Sequence, residues 1–203
     1  MLHNKNIFFD ISKLIIFLAI PNLNAQAFSF HELSKSIQKH LLNNNVYVKS
    51  KVESDNGKQQ LEFLASGLHH RSCKEAMKII GRYEDYQNHI DFITKSTYQN
   101  ERLNLELSSN FLPFNMILNF KLPRITNVGI YPFIFDNGFL LGLKGKVYIQ
   151  EFKENKKYLC LIAMDANWNG KKTKIPNYIF EMFTKTIGQI GISKLFRISG
   201  HRF

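Results

Sequence analysis

Ile179, Phe183, Ile187 and Ile190 recur at spacings of three or four behind Pro176, so the end of the chain carries one continuous apolar stripe on a helix expected over 175–198. A stripe that long must lie on something equally apolar, and most of what precedes it reads as strand. Leu103, Leu105 and Leu107 alternate with Arg102, Asn104 and Glu106. Phe139, Leu141, Leu143, Val147 and Ile149 take every second place against Lys144, Lys146, Tyr148 and Gln150. Such alternation belongs to half-buried strands of an antiparallel sheet. Three Asn-Gly pairs, at 56-57, 137-138 and 169-170, supply tight-turn residues, the first two where hairpins are expected. A curved antiparallel sheet gripped by one long terminal helix encloses an apolar cavity.

Other segments complete the outline. Leu33, Ile37 and Leu41 share one face of an initial helix expected over 28–45, stopped by Asn43-Asn44-Asn45. The strand LEFLASGL leads into a helix that starts at Cys73. In KYLCLIAMDANW, Leu159, Leu161 and Ala163 are as apolar as Tyr158, Ile162 and Met164, which marks a strand covered on both faces. Gly188 and Gly191 interrupt the terminal helix, either to admit a ligand or to mark a bend. The greasy segment from Phe111 to Thr126 is either a lid or one more strand.

Residues 1–27 read as an export signal: Lys5 and Lys13 flank the start, Leu14 to Ile20 form a short apolar core, and Ala25-Gln26-Ala27 offers a cleavage site. Seven apolar residues are too few for the roughly 20 that span a bilayer, so cleavage after Ala27 is expected. That leaves 28–203 as a single domain in the periplasm or outside the cell. The formal charge of +11 is spread over scattered lysines. Export argues against nucleic acid and leaves a solvated surface or a transient contact with an anionic membrane.

The chain has two cysteines, Cys73 and Cys160. An exported protein allows them to be bonded, and buried free thiols are equally common. If LEFLASGL and KYLCLIAMDANW pair antiparallel, the end of one approaches the start of the other and brings the two cysteines near each other.

Few residues in the sequence spell out a reaction. His31-Glu32 opens like a zinc-protease motif, but the second histidine would fall at Lys35. His69, His70 and Cys73 lack a fourth ligand, so no metal site is expected and these imidazoles are read as exposed. Ser66-Gly67 is not framed as a nucleophile elbow, and no glycine-rich loop follows a strand, so no cofactor is expected. Asp165 is either a cavity acid or a turn residue ahead of Asn169-Gly170, and Arg124 either meets a ligand's polar head or is solvated.

The segment Ala76 to Ser96, AMKIIGRYEDYQNHIDFITKS, resembles the helix, aspartate-tyrosine turn and strand of the START-like (SRPBCC, helix-grip) superfamily. Tyr83, Asp85 and Tyr86 stand in the turn, Phe92 and Ile93 open the strand, and Asn88-His89 replaces the usual proline. By order of elements the resemblance spans 46–198. It implies an α+β fold, with a curved antiparallel sheet wrapped around the C-terminal helix, a short helix pair after an early strand and an extra N-terminal helix. It also implies a pocket between sheet and helix for a lipid, isoprenoid, sterol or polyketide. The residues expected to line it are Phe63, Phe92, Leu105, Phe139, Leu141, Leu143, Trp168, Ile179, Phe183 and Ile187, with Asp165 and Tyr83 as polar members. The expected function is that of a monomer binding a hydrophobic small molecule. The alternatives are a cyclase or aromatase-like enzyme using Asp165 or Tyr83, and a structural envelope protein with a filled core.

Overall fold

The computed structural model describes residues 29–108, 115–154 and 156–198, so the expected leader and the start of the Phe111 to Thr126 segment lie outside it. Eight strands form one antiparallel sheet: β1 (Tyr47–Asp55), β2 (Lys58–His69), β3 (Ile93–Gln99), β4 (Arg102–Leu107), β5 (Met116–Lys121), β6 (Gly129–Gly138), β7 (Lys144–Glu154) and β8 (Lys157–Lys171). Their order is β1-β2-β8-β7-β6-β5-β4-β3. Helices α1 (Lys35–Leu42) and α2 (Cys73–Ile80) precede and follow the first hairpin, and α3 (Asn177–Ile198) ends the chain. The segment after Phe114 is therefore strand β5 from Met116 onward.

Local chemistry explains the boundaries. Asn56 and Gly57, at φ 48° and 74°, take the left-handed conformation that joins β1 to β2 in a tight turn. Ser34 and Ser72 cap α1 and α2, each hydroxyl accepting an amide three residues on at 3.4 Å. The first helix is shorter than expected, since Phe30–Glu32 forms a separate 3-10 turn and Asn44, at φ 64°, ends α1.

β8 has two interiors. Its even-numbered residues Cys160, Ile162 and Ala166 face the main core under α3. The odd-numbered Leu159 and Leu161 face a smaller core with Phe30 and Leu41, where the Phe30 ring stacks on Phe152 at 4.4 Å. The N-terminal helix is thus the second cover that makes both faces of this strand apolar.

Three expectations are corrected. Phe139–Leu143 does not continue the alternation as strand; Leu141 N donates to Gly138 O at 3.1 Å and Gly142 N to Phe135 O at 2.9 Å, forming a turn with Gly138 and Gly142 both at φ 86°. Asn169-Gly170 is not a turn, because β8 runs on to pair Asn169 with Gln60 and Gly170 with Gln59, while the Trp168 ring covers the bare glycine. Gly188 and Gly191 mark no bend, since α3 is continuous through both.

α3 is fastened to the edge strand β1 by a polar row at positions i, i+4 and i+7. Asn177 Oδ1 accepts from Ser54 Oγ at 2.7 Å, Glu181 Oε2 from the Val52 amide at 3.3 Å, and the Thr184 and Ser50 hydroxyls meet at 2.7 Å. The bond from the Val52 amide occupies a backbone donor of the edge that would otherwise be free. Further along, Gly67 of β2 lets Ile192 and Phe196 settle directly on the sheet. Cys73 and Cys160 are joined in a disulfide, with Cα atoms 4.7 Å apart, which ties α2 to β8.

Candidate ligand cavity

Side chains from β2, β4, β5, β6, β7 and β8 and one face of α3 line a partly open cavity of about 220 Å³. Phe63, Leu105, Leu143, Phe183 and Ile187 stand on its wall. Much of the remainder comes from residues the alternation argument did not single out: Met116, Leu118 and Phe120 of β5, Phe133 and Phe135 of β6, and Met164 and Ala166 of β8. Phe120 and Phe135 stack at 4.7 Å with planes 9° apart, and Phe133 meets both rings edge-on. Tyr131, Phe133 and Phe135 do alternate in sequence, but so do Ile130, Pro132 and Ile134 between them, so neither face of β6 declares itself.

Among the described residues the wall offers no free hydrogen bond. Thr184 is the one polar residue of that described wall, and its hydroxyl donates back along α3 toward the Phe180 and Glu181 carbonyls, both at 3.0 Å, and accepts from Ser50. No lining side chain among the described residues titrates. A space of this size equals roughly seven water molecules at about 30 Å³ each, and an apolar cavity of about 150 Å³ stays dry and accepts benzene.

The other expected lining residues stand elsewhere. Phe92 is buried in the main core away from the wall. Phe139 and Trp168 both pack on Phe180, at 5.7 and 5.9 Å, and the Trp168 indole donates to Leu141 O at 3.0 Å. Leu141 is 60 % exposed because the 139–143 turn puts Leu140 inward in its place. Ile179 is half-buried beside Phe180, off the wall.

The two polar candidates also lie outside the cavity. Met164 and Ala166 point inward, so Asp165 must point out. There it accepts from Lys146 N and from the Tyr148 hydroxyl, both at 2.9 Å. Burial, followed by the bond to Asp165, pushes Tyr148 up to about 12. Tyr83 is 1 % exposed; its hydroxyl donates to Pro123 O at 3.0 Å and accepts from Ile125 N at 3.1 Å, clasping the irregular connection that follows β5. Burial raises its pKa far above the usual phenol value.

Arg124 is engaged within the protein. Its guanidinium lies 4.5 Å from the Tyr98 ring centre, donates to Gly81 O at 2.7 Å and forks onto Glu84, whose carboxyl it holds below the usual range. His69 is fully buried rather than exposed: it pairs with Cys160 in register, and its Nδ1 accepts from the Arg71 amide at 3.1 Å. Among the described residues no group of three or more His, Cys, Asp or Glu is arranged to hold a metal, and no helix is long and apolar enough to cross a membrane.

A curved antiparallel sheet wrapped around one long C-terminal helix, with a hollow between them, is the START-like helix-grip fold. Among solved structures, an uncharacterised protein from Bacillus thuringiensis superposes with a TM-score of 0.51 at 13 % identity, covering 69 % of this chain and 99 % of its own. A START superfamily protein from Mycobacterium smegmatis gives a TM-score of 0.49 at 11 % identity over 68 % of this chain and 97 % of its own. The di-domain ARO/CYC protein StfQ of the steffimycin biosynthetic pathway gives 0.48 at 8 % identity over 70 % of this chain and 52 % of its own. At such identities the likeness is one of fold. No family model and no curated protein sequence matches this chain.

Proposed function

We propose that this chain is an exported protein that holds a small apolar molecule between its sheet and α3. The observation that carries the reading is the cavity of about 220 Å³ with no polar group free on its described wall. Burial of apolar surface, at about 25 cal/mol per Å², retains such a guest without a hydrogen bond. The volume lies below the roughly 300–1,000 Å³ of drug-sized sites, which favours a single ring or short hydrocarbon group over a whole sterol. Export is supported by the leader pattern of residues 1–27 and by the disulfide, a bond kept in oxidising compartments. The cyclase reading has no observation in its favour, because Asp165 points away from the hollow and Tyr83 is spent on backbone groups.

Solvent extraction and native mass spectrometry of protein taken from its own compartment test the proposal, together with calorimetric titration by toluene. The expected result is one apolar guest per chain, or toluene uptake by empty protein, and loss of both in Ala166→Leu, which fills the hollow from β8. Protein that is empty and also refuses toluene overturns it.

A further inference from the structure

We infer that the end of the molecule bearing the 56–57, 139–143 and 172–176 connections docks on an anionic lipid surface. The purpose of such docking, passing a guest to or from the bilayer, rests on the cavity proposed above; the docking itself stands on separate observations.

The first is charge. Lysines scattered along the sequence are gathered here by the fold. Lys58 and Lys171 are direct cross-strand partners and share a shallow groove with Asn56, Gly57, Asn169 and Gly170. Like charges placed opposite each other destabilise a sheet. The Lys172 amide bonds to Gly57 O at 2.9 Å, which brings this residue onto the hairpin tip, and Lys174 follows in the same exposed connection. Among the described residues none of these four lysines belongs to an ion pair. The nearest acid along the hairpin is Asp55, opposite Lys58, which accepts from the Asn56 amide group. Three lysines therefore remain beyond its reach in register.

The second is exposed apolar surface at the same end. Leu141, Tyr178 and Met182 are 60 %, 71 % and 59 % exposed. The Trp168 bond to Leu141 O, and the packing of Phe139 and Trp168 on Phe180, hold the 139–143 turn beside the first turns of α3, where Tyr178 and Met182 stand. Leu140 and Leu143 of that turn and Phe183 of that helix are cavity wall, so these exposed groups stand on the rim of the cavity.

The arrangement suits lipid better than protein. Three apolar side chains on two separate projections present no continuous patch for a folded partner, whereas a fluid interface fills in around each of them. Tyrosine favours that interface, and neighbouring lysines supply the attraction to anionic head groups.

Co-sedimentation of the whole mature protein with vesicles tests this, using phosphatidylcholine mixed with phosphatidylglycerol against phosphatidylcholine alone. Binding is expected only to the anionic vesicles, weakened by salt. Lys171→Gln/Lys172→Gln/Lys174→Gln should lower it about a hundredfold, each lysine near such a surface contributing about fivefold. Leu141→Asn/Tyr178→Ser should weaken it with the salt dependence retained. Failure to bind anionic vesicles, wild-type binding by the lysine variant, or loss through Ile130→Asn/Ile134→Asn on the opposite sheet face overturns the docking site. Ala166→Leu separates the two proposals, since it should empty the cavity and leave vesicle binding unchanged; unchanged guest content in Ala166→Leu counts against the cavity alone.

Discussion

Gly188 of α3 lies so close to Phe63 of β2 that a β-carbon at the glycine would stand 2.6 Å from the ring's Cζ. The helix rests on the sheet at this point because the residue has no side chain.

Gly188→Ala should therefore leave stability nearly unchanged while reducing guest uptake. The new methyl group forces the Phe63 ring aside, and that ring borders the hollow, so it has space to move into. Alanine's helical advantage of about 1 kcal/mol offsets the strain. A melting curve within a few degrees of wild type, with weaker toluene binding by calorimetry, is the expected pair of results.

Removal of the disulfide should be severe. The Cys73–Cys160 bond closes a loop with a sequence separation of 87, for which loop-closure entropy corresponds to about 4.6 kcal/mol. Cys73→Ala/Cys160→Ala should lower the melting temperature by roughly 10 °C, and reductant should have no further effect on that variant. Thermal melts of both proteins with and without reductant give the measurement.

Tyr83→Phe should cost about 2–4 kcal/mol, a large effect for one oxygen. The hydroxyl satisfies both Pro123 O and the Ile125 amide, and each is left without that partner in the variant. Chemical unfolding reads the loss. Guest binding should be unchanged once the protein is folded, because the residue is off the wall.

Tyr148 predicts an alkaline limit. Its folded pKa is raised from 10.0 to about 12, so the protonated phenol is the form the fold favours. The associated stability is fully present below pH 10 and is lost as pH rises toward 12. Tyr148→Phe should show a shallower decline over that window in unfolding experiments, with the wild-type curve the steeper of the two.

The order of elements was legible because it depends on period and turn chemistry, both local. Leu103, Leu105 and Leu107 alternate cleanly since one face of β4 is wet, and each of these leucines is buried. Legibility fails where both faces are apolar. Nothing in the apolar pattern of β8 tells which face holds the cavity, because the small core with Phe30 and Leu41 covers Leu159 and Leu161 while the main core under α3 takes the other face; the choice is set by elements far away in sequence. Phe139 and Leu141 failed for a different reason. Leu140 and Gly142 stand between the apolar residues of 139–143, so no polar face alternates there, and Gly138 and Gly142 at positive φ fold the chain into a turn that breaks the period. Lysine clustering was invisible for the same reason as the cavity face: Lys58 meets Lys171 only through strand pairing.

On the proposed function, a chamber whose described wall offers only van der Waals contact would sort its guests by bulk and by dryness. Each methylene a guest lacks weakens retention by about 0.8 kcal/mol, close to fourfold. A guest that gains a hydroxyl brings in a polar atom with no counterpart on the wall, at a penalty of about 1–3 kcal/mol. Hydroxylation of an occupant would thus act as an eviction signal, read by the phenylalanines of β5 and β6 without any dedicated sensor residue.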